Sequence, residues 1–309
     1  MKLLVLGAGA VGLGFAARLS TVADVTAVTR EQSARAISEK GLILAGAWGN
    51  GTYRFPCICE PPRKEHFDYI LITTKAYDTR RACMQYSGLF EGSEIVSLQN
   101  GLGSAEAIRA FSDRVIAAVV MSGFVMEDQN RIRITANAGA SLVGRFPEGI
   151  DSEVRALAAL MSGAGIPARA DAAIRSNIWS KNLISCTLNP ISALLDVRYG
   201  LLTSDPGFEV ISGIAREVFL VAHAEGVPLL WETPDKFLDY LRHDLIPAMA
   251  DHSSSMLQDI RNRRQTEIDF MNGAIVAFGK KHGIATPYNE CLTSFIKFRE
   301  GHRETGPDR

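Results

Sequence analysis

The chain has 309 residues, a length that predicts about two domains. Hydrophobic residues make up 47% and charged residues 22%, and the formal net charge of −1 argues against a binding surface for nucleic acid or anionic membranes. The cysteines and histidines show no metal-ligand or redox spacing, so we expect a cytoplasmic protein without a metal site. No run of about 18 apolar residues occurs, so we expect no membrane span.

The first half of the chain alternates strand-like apolar runs with segments of helical spacing. The predicted strands are residues 3–6, 24–29, 67–74 and 94–98, and the predicted helices are residues 10–20, 31–40, a segment from about 78, and 104–111. Such alternation predicts a parallel sheet with helices on both faces, as in a Rossmann-type α/β domain.

The pattern changes twice further along. Residues 119–126 and 131–135 flank a polar turn and predict a hairpin, which with residues 141–146 would add edge strands to the sheet. Helical periodicity then dominates in residues 172–195, 208–225, 235–248 and 266–282. We therefore predict a dinucleotide-binding domain over residues 1–170 and an all-helical domain over 171–309, with a disordered tail at 301–309.

A glycine turn connects the first predicted strand to the first predicted helix, with the residues Gly7, Ala8, Gly9, Ala10, Val11 and Gly12. This spacing permits a tight turn, a close approach of backbone to a pyrophosphate, and close packing of helix on strand. The helix N-terminus then offers N–H groups to the phosphates. The alternative is a tight turn without a ligand, but the strand, turn and helix together favour a dinucleotide.

The end of the second predicted strand distinguishes NAD from NADP. An acidic residue there would accept hydrogen bonds from the ribose 2′-hydroxyl, whereas this chain has Arg30, whose guanidinium can pair with a 2′-phosphate. Glu31 follows directly and could take the NAD role, and Arg30 could be a solvated charge. We expect NADP(H).

Further polar residues follow predicted strands or lie on one helix. Lys75 and Asn100 each follow a strand at the edge where open α/β sheets bind ligands, although Asn100 and the next glycine could simply form a turn. Lys181, Ser185 and Asn189 recur at every fourth position of a largely apolar helix. Such a stripe lines a cleft or forms a solvated face, and its apolar surroundings favour the cleft.

Two predictions concern breaks in the helical half. Pro190 predicts a kink or break that frees backbone groups near Asn189. One continuous helix would separate Ser255 and Glu267 by about 18 Å. The pattern at Thr266 predicts a helix start, so a break before it could bring Glu267 back toward Ser255.

Together these segments resemble the ketopantoate reductase family (2-dehydropantoate 2-reductases) over nearly the whole chain. The resemblance implies hydride transfer from NADPH to the C2 carbonyl of a 2-oxo acid, most simply 2-dehydropantoate in pantothenate biosynthesis. It implies that Lys181 is the general acid and that Glu267 holds and tunes it. It further implies that Arg30 binds the 2′-phosphate and that Lys75 and Asn100 position the nicotinamide end. The implied substrate contacts are Asn100, Lys181, Ser185, Asn189 and Ser255.

The chain departs from the family pattern at three positions, where family members usually have asparagine. They are Ser185, the segment around Tyr199, and His252. A family paralogue acting on another 2-oxo acid is therefore an alternative. A non-catalytic NADP(H)-binding redox sensor is another, although it would have no need for Lys181 and Glu267. Both a monomer and a homodimer are compatible with the sequence.

Overall fold

A computed structural model describes residues 1–61 and 64–302. The chain forms two compact units, Met1–Arg175 and Ser176–Arg309. The predicted fold class, a Rossmann-type α/β domain followed by an all-helical domain, is confirmed. From residue 303 onward, the predicted disordered tail lies outside the described residues.

The first unit contains the predicted parallel sheet. The elements of this unit, in chain order, are β1 (Lys2–Leu6), α1 (Ala10–Leu19), β2 (Asp24–Val28), α2 (Glu31–Lys40), β3 (Leu42–Gly46), β4 (Gly51–Tyr53), β5 (Cys57–Ile58), β6 (Tyr69–Ile72), α3 (Thr79–Tyr86), β7 (Glu94–Ser97), α4 (Ser104–Arg109), β8 (Val115–Val119), β9 (Ser122–Asp128), β10 (Arg131–Asn137), β11 (Ser141–Arg145), α5 (Ser152–Gly163) and β12 (Ala168–Ala170). The central strands pair in the order β8-β7-β6-β1-β2-β5, all parallel, which is the strand order of a dinucleotide-binding fold.

The predicted hairpin forms, but not at the edge of the main sheet. Strands β9 and β10 pair antiparallel and join β3 and β4 in a second sheet, ordered β4-β3-β10-β9. The prediction was wrong because the hairpin pairs with β3, a segment about 90 residues earlier in the chain, and local pattern does not identify the neighbour of a strand. The later strand β11 does extend the main sheet, antiparallel to β8 and followed by β12.

Helix α1 packs against both sheets, which explains why it is apolar on nearly every side. Phe15 of α1 contacts Trp48 and Phe124, with ring centroids 5.2 and 6.1 Å away. A Cβ on Gly14 would lie 2.8 Å from the Phe124 ring, so a glycine is needed where the helix meets the second sheet. The start of α1 is therefore held firmly in place at the carboxyl end of β1.

The second unit is helical throughout its described part. Its helices are α6 (Ile174–Leu195), α7 (Asp205–Ala224), α8 (Pro234–Tyr240), α9 (Ile246–Ala248), α10 (Ser255–Arg261), α11 (Asn272–His282) and α12 (Pro287–Gly301). Helices α10 and α12 lie outside the four predicted helical segments. A π-helical turn (Leu241–Leu245) joins α8 to α9, and a turn of 3₁₀ helix (Ile268–Phe270) precedes α11. No helix in the described residues is long and apolar enough to cross a membrane.

Helix α6 continues through Pro190, so the helix does not break there, but the proline does free a backbone group, as predicted for a kink or break at this position. Since Pro190 has no N–H, the carbonyl of Cys186 loses its partner within the helix. Asn272 at the start of α11 donates from Nδ2 to that carbonyl over 3.1 Å and to the Asn289 side chain over 2.9 Å. Asn289 in turn donates to the buried carboxylate of Glu217. A buried polar network thus joins α6, α7, α11 and α12.

Candidate functional site

The three glycines of the first turn have different surroundings. Gly7 has φ +72°, and a Cβ there would lie 2.1 Å from Thr74 Cγ2. A Cβ on Gly12 would lie 2.3 Å from Thr73 Oγ1, so both glycines allow close packing against the end of β6. A Cβ on Gly9 would meet no atom within 4 Å. The open side of the turn is therefore at Gly9, next to the N–H groups of the first turn of α1.

Neighbouring strands fix the shape of this turn. The N–H of Ala8 donates to the Val28 carbonyl over 2.8 Å, and the Thr29 hydroxyl donates to the Ala8 carbonyl over 2.7 Å. Helix α1 begins without a side-chain cap, and Ala10, Val11 and Gly12 form its first turn. Because the first N–H groups of a helix lack partners within it, this end can bind an anion.

Arg30 lies at the N-terminus of α2, directly after the end of β2. Its side chain is exposed, and no carboxylate among the described residues forms an ion pair with it. Glu31 is also exposed, in the first turn of α2. Arg30 directly follows Thr29, whose hydroxyl is hydrogen-bonded to the glycine turn at Ala8. An exposed guanidinium therefore belongs to the residue next to this contact.

Lys75 and Asn100 follow β6 and β7, which are parallel neighbours, and both are half-buried. Gln99, which no sequence pattern marks as a site residue, joins the two segments. Its amide Nε2 donates to the hydroxyls of Thr74 and Thr79 over 3.2 and 2.5 Å. The two predicted ligand contacts therefore belong to segments that are hydrogen-bonded together at one edge of the sheet.

In the second unit, Lys181 is half-buried on α6 and Glu267 is 5% exposed, just before the 3₁₀ turn. Burial lowers the pKa of Lys181 from the ordinary lysine value to about 8, and the charge of Glu267 partly opposes this shift. The structure thus brings together a lysine and a carboxylate that are 86 residues apart in the sequence. A lysine with this pKa can give up a proton near neutral pH.

The other two residues of the α6 stripe differ in burial. Ser185 is half-buried, whereas Asn189 is 7% exposed. The Tyr199 hydroxyl donates to Asn189 Oδ1 over 2.5 Å, and Asn189 Nδ2 lies 3.7 Å from the sulfur of Met271. Asn189 is therefore held by two segments that lie outside its own helix.

Ser255 lies at the start of α10 and is exposed, while its neighbour Ser254 is buried and caps the helix by accepting from the Leu257 N–H over 3.0 Å. A break does separate Ser255 from Glu267, since α10 ends at Arg261. The predicted helix start at Thr266 is replaced by a turn in which the Thr266 hydroxyl accepts from the Ile268 N–H.

Two of the positions that depart from the family pattern lie together. The rings of Tyr199 and His252 are 5.1 Å apart, and the Tyr199 N–H donates to the His252 carbonyl over 3.2 Å. Burial raises the pKa of the Tyr199 hydroxyl and lowers that of His252, so both are neutral near pH 7. No spacing in the sequence indicates this pair, because the contact joins the segment after α6 to the segment before α10.

Comparison with known proteins gives a consistent result. The family model described as Ketopantoate reductase PanE/ApbA matches residues 3–148, and its C-terminal counterpart matches residues 173–300. The chain is 31% identical to 2-dehydropantoate 2-reductase of Aquifex aeolicus, over 97% of each protein. It is 30% identical to that of Pyrococcus abyssi, over 97% of this chain and 98% of the other.

Solved structures agree with the relatives. A PanE/ApbA family ketopantoate reductase from Ralstonia eutropha superposes with a TM-score of 0.89 at 28% identity, over 98% of this chain and 100% of the other. A D-mandelate dehydrogenase, solved with NADH and anilino(oxo)acetate, also gives a TM-score of 0.89, at 26% identity over 99% and 100% of the two chains. The chain therefore belongs to the ketopantoate reductase family, a family of oxidoreductases.

Proposed function

We propose that the chain reduces a 2-oxo acid to the corresponding 2-hydroxy acid with NADPH, and that 2-dehydropantoate, the precursor of pantoate in pantothenate biosynthesis, is its substrate. The observation that supports this most directly is the lowered pKa of Lys181 beside the buried Glu267. A pair of this kind is suited to proton transfer, and a protein that only binds a dinucleotide has no use for it.

The first unit offers a site that fits the dinucleotide. The open space at Gly9 and the uncapped start of α1 suit a pyrophosphate, and Arg30 suits a 2′-phosphate. We assign Lys75 and Asn100 to the nicotinamide end, with Asn100 also contacting the substrate. When bound, the reduced nicotinamide supplies a hydride to the carbonyl carbon.

The residues of the second unit supply the proton and the substrate contacts. As hydride adds to C2, the electron pair of the C=O bond moves to oxygen, and the Lys181 ammonium donates a proton to that oxygen. A cationic donor stabilises the developing negative charge more in the transition state than in the ground state. Glu267 keeps a larger fraction of the lysine protonated, since its charge raises the lysine pKa. Ser185, Asn189 and Ser255 are assigned to substrate oxygens.

The assignment of Lys181 is tested by turnover. Purified protein is mixed with NADPH and 2-dehydropantoate, phenylglyoxylate or other 2-oxo acids, and the absorbance of the reduced nicotinamide is followed. Lys181→Ala should lower kcat by about 10²- to 10⁴-fold, the usual contribution of a general acid. The matched control Lys236→Ala removes an exposed lysine of the same unit and should keep the wild-type rate.

The outcomes separate the candidate functions. Faster turnover of another 2-oxo acid than of 2-dehydropantoate would favour a family paralogue, and the D-mandelate dehydrogenase neighbour makes phenylglyoxylate a sensible member of the panel. NADPH binding without turnover of any substrate would favour a redox sensor. A wild-type rate in Lys181→Ala would show that another group is the acid.

The choice of NADPH over NADH is tested at Arg30. Arg30→Ala should raise the KM for NADPH at least about tenfold and leave the KM for NADH nearly unchanged, because only NADPH has the 2′-phosphate. Arg35→Ala is the control, since Arg35 is an exposed arginine of the same helix that pairs with Glu39. Equal effects on both cofactors would contradict the role of Arg30.

A further inference from the structure

The hydrogen bond between Tyr199 and Asn189 restricts what Asn189 can do. A side-chain amide has one acceptor oxygen and an NH₂ group with two donors. The Tyr199 hydroxyl already donates to Oδ1, over 2.5 Å. Rotating the amide by half a turn would place Nδ2 against the hydroxyl and would lose the contact with the Met271 sulfur, which can only accept. The bond therefore holds the amide in one orientation.

In that orientation the NH₂ group is poorly satisfied. Within the described residues, its one partner is the Met271 sulfur at 3.7 Å, which is a weak acceptor. Because Asn189 is 7% exposed, water can compensate little of this deficit. A buried donor in this state is best satisfied by a ligand that brings an oxygen.

The position of Asn189 on α6 indicates which part of a ligand it can reach. Asn189 lies eight residues beyond Lys181 on the same helix, a rise of about 12 Å. Under the proposed function the Lys181 ammonium is at the carbonyl oxygen, so Asn189 lies away from the reacting carbon. In such a complex the NH₂ group would meet an oxygen on the side chain of the 2-oxo acid.

We infer that Tyr199 is a specificity-determining positioning residue: its hydroxyl fixes the Asn189 amide so that the NH₂ group selects 2-oxo acids with a hydroxyl oxygen on the side chain. This inference rests on the proposed function. Tyr199 acts through Asn189 and does not itself take part in the chemistry. A site built to hydrogen-bond a substrate hydroxyl rejects the analogue without it strongly, since the buried donor is then left unpaired.

Two substrates test the inference directly, 2-dehydropantoate and trimethylpyruvate, which lacks only the hydroxyl oxygen. The ratio of their kcat/KM values is measured for the wild type, Tyr199→Phe, Asn189→Ala and the double variant, and Tm is recorded for each. Tyr199→Phe should lower the ratio about tenfold, through the KM for 2-dehydropantoate, with kcat for trimethylpyruvate within about twofold of wild type. Asn189→Ala should lower it at least as much, and the double variant no further.

A control separates this role from a purely structural one. Tyr53→Phe removes a hydroxyl that also makes a hydrogen bond, to Arg18 in the first unit, and should leave the ratio unchanged. The inference is overturned if Tyr199→Phe lowers Tm but keeps the wild-type ratio, or if the effects of the two single variants add.

Failure of the proposed function gives a different result. In that case the wild type turns over neither acid, and calorimetric binding of the two acids to the NADP⁺-loaded protein replaces kinetics. Equal affinities, or a preference that survives Tyr199→Phe, overturn the inference on Tyr199 independently of turnover.

Discussion

Replacing Glu267 by glutamine removes the charge that raises the pKa of Lys181 and leaves the desolvation that lowers it. The pKa of the lysine should therefore fall below its value of about 8. In the proposed reaction Lys181 donates a proton, so activity is present while the ammonium is protonated and is lost as the pH rises through its pKa. The wild-type rate should fall around pH 8, and Glu267→Gln should move this falling limb to lower pH.

The size of the shift in the Lys181 pKa follows from its electrostatic interaction with Glu267. An opposite charge within about 4–6 Å of an ionisable group moves its pKa by roughly 1 to 3 units. A fall of one unit would reduce the ammonium fraction about fivefold at pH 8 but only by about a tenth at pH 6. The variant should therefore be most impaired on the alkaline side and approach the wild type in mild acid.

The assay is the pH profile of kcat with saturating NADPH and 2-oxo acid. Asp269→Asn is the matched control, because Asp269 is an exposed acid two residues further along that pairs with Lys297 over 2.5 Å. Its profile should coincide with the wild type. A Glu267→Gln profile that does not move, or moves to higher pH, would refute the assignment of Lys181 as the acid tuned by Glu267.

Two further predictions concern the glycine turn and the buried network. Gly9→Ala should keep the wild-type Tm, since its φ of −86° suits alanine and its Cβ meets no atom, yet weaken NADPH binding in calorimetry about tenfold or more. Gly7→Ala should instead lower Tm markedly, because of its φ of +72° and the clash at 2.1 Å. Asn272→Ala leaves the buried Cys186 carbonyl unpaired and should cost about 1–3 kcal/mol in urea unfolding. The exposed control Asn262→Ala should stay within about 0.5 kcal/mol.

The sequence predicts those features of the fold that depend on local pattern. The alternation of strands and helices gave the parallel sheet, and the polar turn at 127–130 gave the β9–β10 hairpin. The partner of that hairpin could not be predicted, because pairing with β3 joins segments about 90 residues apart and depends on which face of α1 remains to be covered. Local pattern identifies a strand but not its neighbour.

The same division applies to the candidate site. Lys181, Ser185 and Asn189 could be identified because one helix brings them to one face, and Gly7–Gly12 because one turn requires them. The contact between Tyr199 and His252 could not, since it depends on how the turn after α6 packs against the segment before α10. Resemblance to a family marked both positions as unusual, and only the structure brought them together.

The network at Pro190 connects stability with the proposed chemistry. The Cys186 carbonyl that Pro190 frees accepts a hydrogen bond from Asn272, and Asn189 contacts Met271, the residue before Asn272. The segment from Glu267 to Asn272 therefore contacts α6 at two adjacent residues. Lys181 precedes Cys186 by five residues and Glu267 precedes Asn272 by five, so we expect these contacts to help set the distance between the two charges. Asn272→Ala should therefore move the falling limb of the pH profile toward that of Glu267→Gln, although neither charged residue is changed. An unmoved limb in a destabilised variant would mean that the network supports the fold alone.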